Sequence, residues 1–345
     1  MENIQFEVNK YCSLAYALLS KKFVPSDKER KEQLKQIVKD LDQNSYPGLT
    51  SWIDFPSLFS DVSVFSNLTS KEERFDALYS RKEKELEKQN DEESLKQLEK
   101  IKDIFLRMYY LLEATMPEYE QHYLKSKEKN FQKIILSWAS RKKNIERCLE
   151  TAQTWSGMTK KDNTILPFRI TFQTYPSYGN YGLGYCYDNV MQINIGPSKH
   201  IDYDLILHEA SHSYTHPNQD KKNWLDTNCK NSWWVRGRTE RNTYGRPENI
   251  FRESWTRACQ IHLYDYLDKK YGIKDEISIG DRIYHTVFKR GSFGCTDLIL
   301  NEIKRKLPIE DAKGKPIEYT IDDHQNFINT FIENNAELLK AKKLK

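Results

Sequence analysis

The sequence predicts a mostly helical α+β fold, with a helical region over residues 1–160 and then a region over 161–345 that carries a small sheet and an H-E-x-x-H helix. Three observations predict it. Apolar residues recur at helical spacing as far as about residue 157, and near Leu166 the period shortens to that of strands. His208-Glu209-Ala-Ser-His212 then stands in a stretch of helical character. The two regions can pack as one unit.

With 345 residues the chain is long enough to bury a sizeable core. Its 54 basic and 50 acidic residues leave a net charge of +4, dispersed along the chain rather than gathered into a basic stripe, so nucleic acid is not an implied partner. The six cysteines include no C-x-x-C pair, which argues against a cysteine-zinc site and a dense disulfide scaffold. No stretch is long and apolar enough to span a membrane, and the first ten residues lack the basic start of a signal peptide. The expected location is cytoplasmic if Met1 is the native start, and exported if a signal peptide has been removed.

In chain order, Val8, Tyr11, Cys12, Ala15, Leu18 and Leu19 form a first helical stripe, and Leu34, Ile37, Val38 and Leu41 a second. Pro47-Gly48 breaks the pattern, and a short strand is expected around Val62–Val64. Ser70-Lys-Glu-Glu73 is a capping box that starts the next helix. Residues 81–102 mix Lys and Glu, the mark of a solvated helix face, and Leu98, Ile101, Phe105, Met108, Tyr109 and Leu112 supply a buried stripe. Pro117 is read as a break, followed by a helix over about 119–155.

Residues 167–175 form a β-rich run, 176–184 a Gly-containing turn, and 185–195 a hairpin or strand pair stopped by Gly196-Pro197. After the motif helix, residues 218–247 read as a polar loop with Trp224, Trp233 and Trp234, expected to form the rim of a cleft. Pro247 suits the first position of a helix that ends at Gly272. Further helices are expected near 278–290 and 295–306 and from about Asp322 to Lys342.

The chemistry concentrates at His208-Glu209-Ala-Ser-His212. Residues four apart on a helix share a face, so His208 and His212 can bind one tetrahedral metal ion. Glu209, turned by about 100° from His208, stands beside a metal-bound water, the general-base position. With eight His in the chain, chance would produce this pattern in roughly one or two per cent of such sequences, often outside a helix. Asp202 or Asp204 can cap the helix start, Leu205, Ile206 and Leu207 give it an apolar side, and Pro217 limits its end.

Catalytic zinc takes three protein ligands. The arrangement H-E-x-x-H-x-x-G-x-x-H is excluded, because Thr215 and Asn218 occupy its Gly and third-His positions. Glu253, 41 residues past His212 on the next strongly apolar helix, is the leading third ligand, with Glu248, Asp226 and His262 as alternatives. Glu253 also stands four residues before Arg257 as an ordinary ion pair. Both roles hold together if Arg257 orients the ligand.

H-E-x-x-H followed by a Glu ligand on a later helix resembles the gluzincins, zincin metallopeptidases. More narrowly, His208-Glu-Ala-Ser-His-Ser-Tyr-Thr-His-Pro217 with Glu253-Ser-Trp-Thr-Arg-Ala258 resembles a bacterial family of unknown function that shares H-E-x-x-H-S-x-x-x-P and a later E-x-x-x-R-A, most strongly over about residues 165–270. The resemblance implies that 161–345 is a zincin-like metallopeptidase region with one zinc per chain, acting on a peptide or protein. It also implies a tyrosine before the Glu ligand that stabilises the oxyanion. Tyr244, nine residues before Glu253, is the candidate, with His285 as an alternative.

The expected reaction is attack of a zinc-activated water on a peptide carbonyl, with Glu209 as base and the substrate strand added to the edge strand near 185–195. The rival expectations are a non-catalytic or carbohydrate-binding protein that keeps a structural zinc site, and a zinc hydrolase of non-peptide substrates.

Overall fold

The computed structural model describes residues 4–43, 54–59, 62–65, 67–88, 92–158, 168–172, 182–187, 190–195, 201–212, 214–235, 246–275 and 295–342. The expected helix over 278–290, Tyr244 and His285 lie outside the described residues. Within them the chain is mostly helical with one small sheet, as its periodicities predict.

The sheet has four strands, β1 (Ile4–Val8), β2 (Phe168–Phe172), β3 (Gly182–Tyr187) and β4 (Val190–Ile195), in the order β1-β2-β4-β3. Strands β1, β2 and β4 run parallel, while β3 pairs antiparallel with β4 from Gly182↔Ile195 to Tyr187↔Val190. The hairpin is therefore real, and β3 is its outer strand. The first strand differs from the expected N-terminal helical stripe, which had included Val8. Ile4↔Phe168 pairing joins residues more than 160 positions apart, and no local period reports such a partner.

Helices α1 (Lys10–Leu19), α2 (Lys28–Gln43), α3 (Asp54–Ser57), α4 (Lys71–Lys88), α5 (Glu92–Lys100) and α6 (Lys102–Tyr119) gather one buried cluster around Leu14, Ile37, Phe55, Leu78 and Phe105. The capping box forms as expected, the Glu73 N–H donating to Ser70 Oγ at 3.0 Å and the Ser70 N–H to Glu73 Oε2 at 3.3 Å. The strand expected at Val62–Val64 is instead one 3₁₀ turn, Val62–Phe65. A lone strand with no neighbour leaves its backbone unpaired, whereas this turn bonds the Val62 N–H to Phe59 O.

Pro117 does not break the chain. It lies inside α6, which continues through one π turn, Glu120–Leu124, into α7 (Lys125–Ala139), and the helical run stops only at Ser140–Arg141 before α8 (Lys142–Ser156). Proline removes one helical hydrogen bond, but buried Met108, Leu112, Met116 and Tyr119 hold that face of the helix against the core on both sides of it. Packing outweighs the local signal.

The second buried cluster gathers Ile4, α7, α8, the sheet and, among the described residues, every later helix: α9 (Tyr203–Ser211), α10 (Gln219–Asn228), α11 (Pro247–Tyr271), α12 (Thr296–Lys306), α13 (Ile321–Asn334) and α14 (Ala336–Lys340). Residue 160 falls within the span of that cluster. Trp155 is central to it, donating its indole N–H to Leu307 O at 3.2 Å while its own carbonyl accepts from His324 Nε2 at 2.9 Å. Gly157, which ends α8 at φ +70°, has Tyr319 O only 2.2 Å from where a Cβ would stand, so glycine is required there.

The stretch after the motif is not a plain loop. Asn218 caps α10 by accepting from the Lys221 N–H at 2.9 Å, and the indole N–H groups of Trp233 and Trp234 bond Leu338 O and Leu339 O. These two tryptophans fasten the C-terminal segment rather than line a cleft rim. The expected single C-terminal helix is two, divided at Asn335 and started by a Thr320–Asp323 capping box. Helix α11 spans the expected limits, with Pro247 first and Gly272 left-handed at its end.

Candidate metal centre

Helix α9 begins where a carboxylate can hold it. Asp202 Oδ1 accepts from the Leu205 N–H at 2.8 Å, satisfying one of the amides that a helix start leaves open. Buried Tyr203, Ile206, Leu207 and Ala210 then press α9 against α8, α11, β3 and β4, so its polar residues meet α11 in a fixed register. The helix ends at Ser211, with His212 closing its last turn through the His208 carbonyl.

At that contact the side chains of His208, His212 and Glu253 converge. The two Nε2 atoms are 3.2 Å apart, His208 Nε2 is 3.3 Å from Glu253 Oε1, and His212 Nε2 is 3.6 Å from Glu253 Oε2. A tetrahedral ion bound at about 2.1 Å holds its ligand atoms roughly 3.4 Å apart, so the three donors already stand at the separations one ion requires. Glu253 is also buried, and a buried carboxylate facing two imidazole nitrogens fits a cation between them. These three residues could hold a metal ion.

The electrostatics suit that use. Burial above all pushes the His208 and His212 imidazoles below their ordinary range, His212 to about 3, so both are neutral at pH 7, the form that ligates a metal. Burial alone would raise the Glu253 carboxyl, but its neighbours His208, Arg257 and His212 outweigh it and hold the group below its ordinary range. With the imidazoles neutral, Arg257, whose guanidinium is 2.9 Å from Glu253 Oε1, is the cation that keeps this carboxylate ionised.

Helix α11 also orients the two imidazoles. Gln260 Oε1 lies 2.9 Å from His208 Nδ1, so Nδ1–H donates to it and the Nε2 lone pair is left toward Glu253. Thr256 Oγ1 stands 3.4 Å from His212 Nδ1 and 2.8 Å from Thr215 Oγ1. Sequence reasoning passed over Gln260 and Thr256. The available signal was that Glu253, Thr256, Arg257 and Gln260 share one face of a helix otherwise lined by apolar side chains. Gln260→Ala is expected to weaken metal binding by about 10- to 100-fold without unfolding the chain, which a titration against a competing chelator reads directly.

The alternative ligands stand elsewhere. Asp226 pairs with Arg246 and accepts from the Glu248 N–H at 3.0 Å, and burial lifts its carboxyl to about 6. Glu248 is buried in the first turn of α11, and His262 bonds Leu307 O at 3.1 Å. Glu209 is buried on α9 beside His208. Among the described residues one further group, Asp202, Asp204 and Asp275, has carboxylate oxygens close enough to share an ion, although Asp202 serves as the α9 cap and Asp275 accepts from the Asp204 N–H.

The arrangement can hold a single cation on two neutral imidazoles and one carboxylate, with a second carboxylate next along the helix. Compared with models of known protein families, with curated proteins and with solved structures, the chain matches none. No helix among the described residues is long and apolar enough to cross a membrane.

Proposed function

We propose that the chain is a zinc-dependent metallopeptidase of the gluzincin type, with His208, His212 and Glu253 as zinc ligands and Glu209 as the general base. The observation that carries this reading is the convergence, at 3.2–3.6 Å, of donor atoms of His208 and His212 at the end of α9 with those of Glu253 on α11, while Glu209 follows His208 on α9. Zinc, when bound, supplies a Lewis acid that brings the pKa of water to about 7.

The remaining work falls to the chain's own groups. A Glu209 carboxylate oxygen takes the proton of the attacking water and returns it to the leaving amine. Gln260 and Arg257 keep His208 and Glu253 in position while the charge changes. Strand β3 has β4 on one side only among the described residues and packs on α9, so a substrate in extended form can add beside it through main-chain hydrogen bonds.

The purified protein should hold about one zinc per chain after reconstitution at neutral pH, and a mixed peptide library should be cut by the zinc-loaded protein but not by protein stripped with a chelator. A protein that takes up no zinc, or a loaded protein that leaves every peptide intact, would overturn the reading.

A further inference from the structure

Four residues beyond His212, past the end of α9, and one turn before Thr256 on α11 lie two groups that the metal centre does not use: His216 and Arg252. Thr215–Thr256 and Thr256–His212 contacts bring these two stretches together, so Arg252, four residues before Thr256, stands on the α11 face that meets them. Arg252, Lys222 and His212 all act electrostatically on His216, whose ring also bonds the His212 backbone. The Nε of Arg252 and the Nδ1 of His216 are buried, and neither has a hydrogen-bond partner among the described residues. Arg252 has no ion pair there either, although the neighbouring Arg246 and Arg257 each have a carboxylate. A buried donor left unmatched is destabilising, and a guanidinium stays charged at any physiological pH.

We infer that Arg252, with His216 beside it, is a substrate-specificity subsite that takes a carboxylate of the peptide, either its C-terminal carboxylate or an acidic side chain close to the cleaved bond. The inference rests on the peptidase reading and narrows its substrate class. A planar guanidinium with an open Nε–H matches a carboxylate in fork geometry, and the site lies next to the histidine that would hold the metal. Peptides cut here should therefore carry a carboxylate near the scissile bond.

The test is binding, so that it does not depend on cleavage. Zinc-loaded Glu209→Gln protein is offered N-acetylated hexapeptide libraries in four forms, with free or amidated C-termini and with or without Asp and Glu. Carboxylate-bearing members should be retained at least about tenfold better than carboxylate-free ones, the size of one charge-assisted hydrogen bond. The arm that shows the preference names its source. Arg252→Gln in the same background should reduce the ratio to within about twofold, and Arg252→Lys should keep part of it. Zinc content and circular dichroism are read on each variant, since Glu253 is adjacent. No carboxylate preference in the Glu209→Gln protein overturns the inference even if Arg252→Gln fails to fold. So does an Arg252→Gln loss equal for all four libraries. If the unsubstituted protein cleaves no peptide while this preference holds, the peptidase reading fails and the carboxylate subsite stands.

Discussion

Glu253→Ala is expected to lose high-affinity zinc, with affinity falling by more than the roughly 100-fold upper range for a residue that merely orients a ligand. Truncation leaves two imidazoles where a catalytic zinc takes three protein ligands. A stability loss is expected with it. Glu253 and Arg257 are 5% and 14% exposed, not the solvated i,i+4 pair their spacing alone suggests. Breaking a buried pair typically costs about 3–5 kcal/mol because the surviving charge stays buried, so weak zinc binding by the Ala variant could reflect a loosened fold. Glu253→Gln separates the two effects: the amide keeps the shape and can still accept from Arg257, but it is a poor ligand. The Gln variant, which keeps an acceptor for Arg257 but not its countercharge, should lose less stability than the Ala variant in a thermal circular dichroism scan while its zinc titration shifts as strongly. Glu248→Ala and Asp226→Ala, which lie outside the three-residue group, should bind zinc normally. Retention of affinity by both Glu253 variants would remove it from the ligand set.

The residues of this centre were legible in the sequence because local rules place them. H-E-x-x-H needs only one helix, and Asp202, capping it through the Leu205 N–H, is a signal three residues long. Pro247 and Gly272 mark both ends of α11 by their backbone chemistry, so Glu253 could be put on a helix before any contact was known. What stayed hidden depends on partners distant in sequence. Ile4–Val8 is a strand because Phe168–Phe172 lies beside it, and α10 is a helix whose faces are too polar for a period to stand out. Pro117 misled because its local penalty is visible and the core that offsets it is not. Gln260 and Arg252 acquire meaning only when α11 is laid against α9, where one faces His208 and the other stands one turn before Thr256.

Glu209→Gln should keep zinc at one per chain and lower peptide cleavage by about 10²- to 10⁴-fold, the usual contribution of a general base. The metal should stay because Glu209 lies outside the group of His208, His212 and Glu253 whose donor atoms converge. The helix should stay because glutamine has the same shape, favours helix about as well as glutamate, and substitutes at a position already closed in by α9 and its neighbours, 4% exposed. What the amide cannot do is take a proton from water at neutral pH, so the loss belongs in kcat, with KM changed far less. Zinc content, a circular dichroism spectrum and initial rates on one cleaved peptide, measured on the same preparation, separate the outcomes. Full zinc with a rate like that of the unsubstituted protein would assign the base to another group, and loss of zinc together with the rate would make Glu209 part of the metal site.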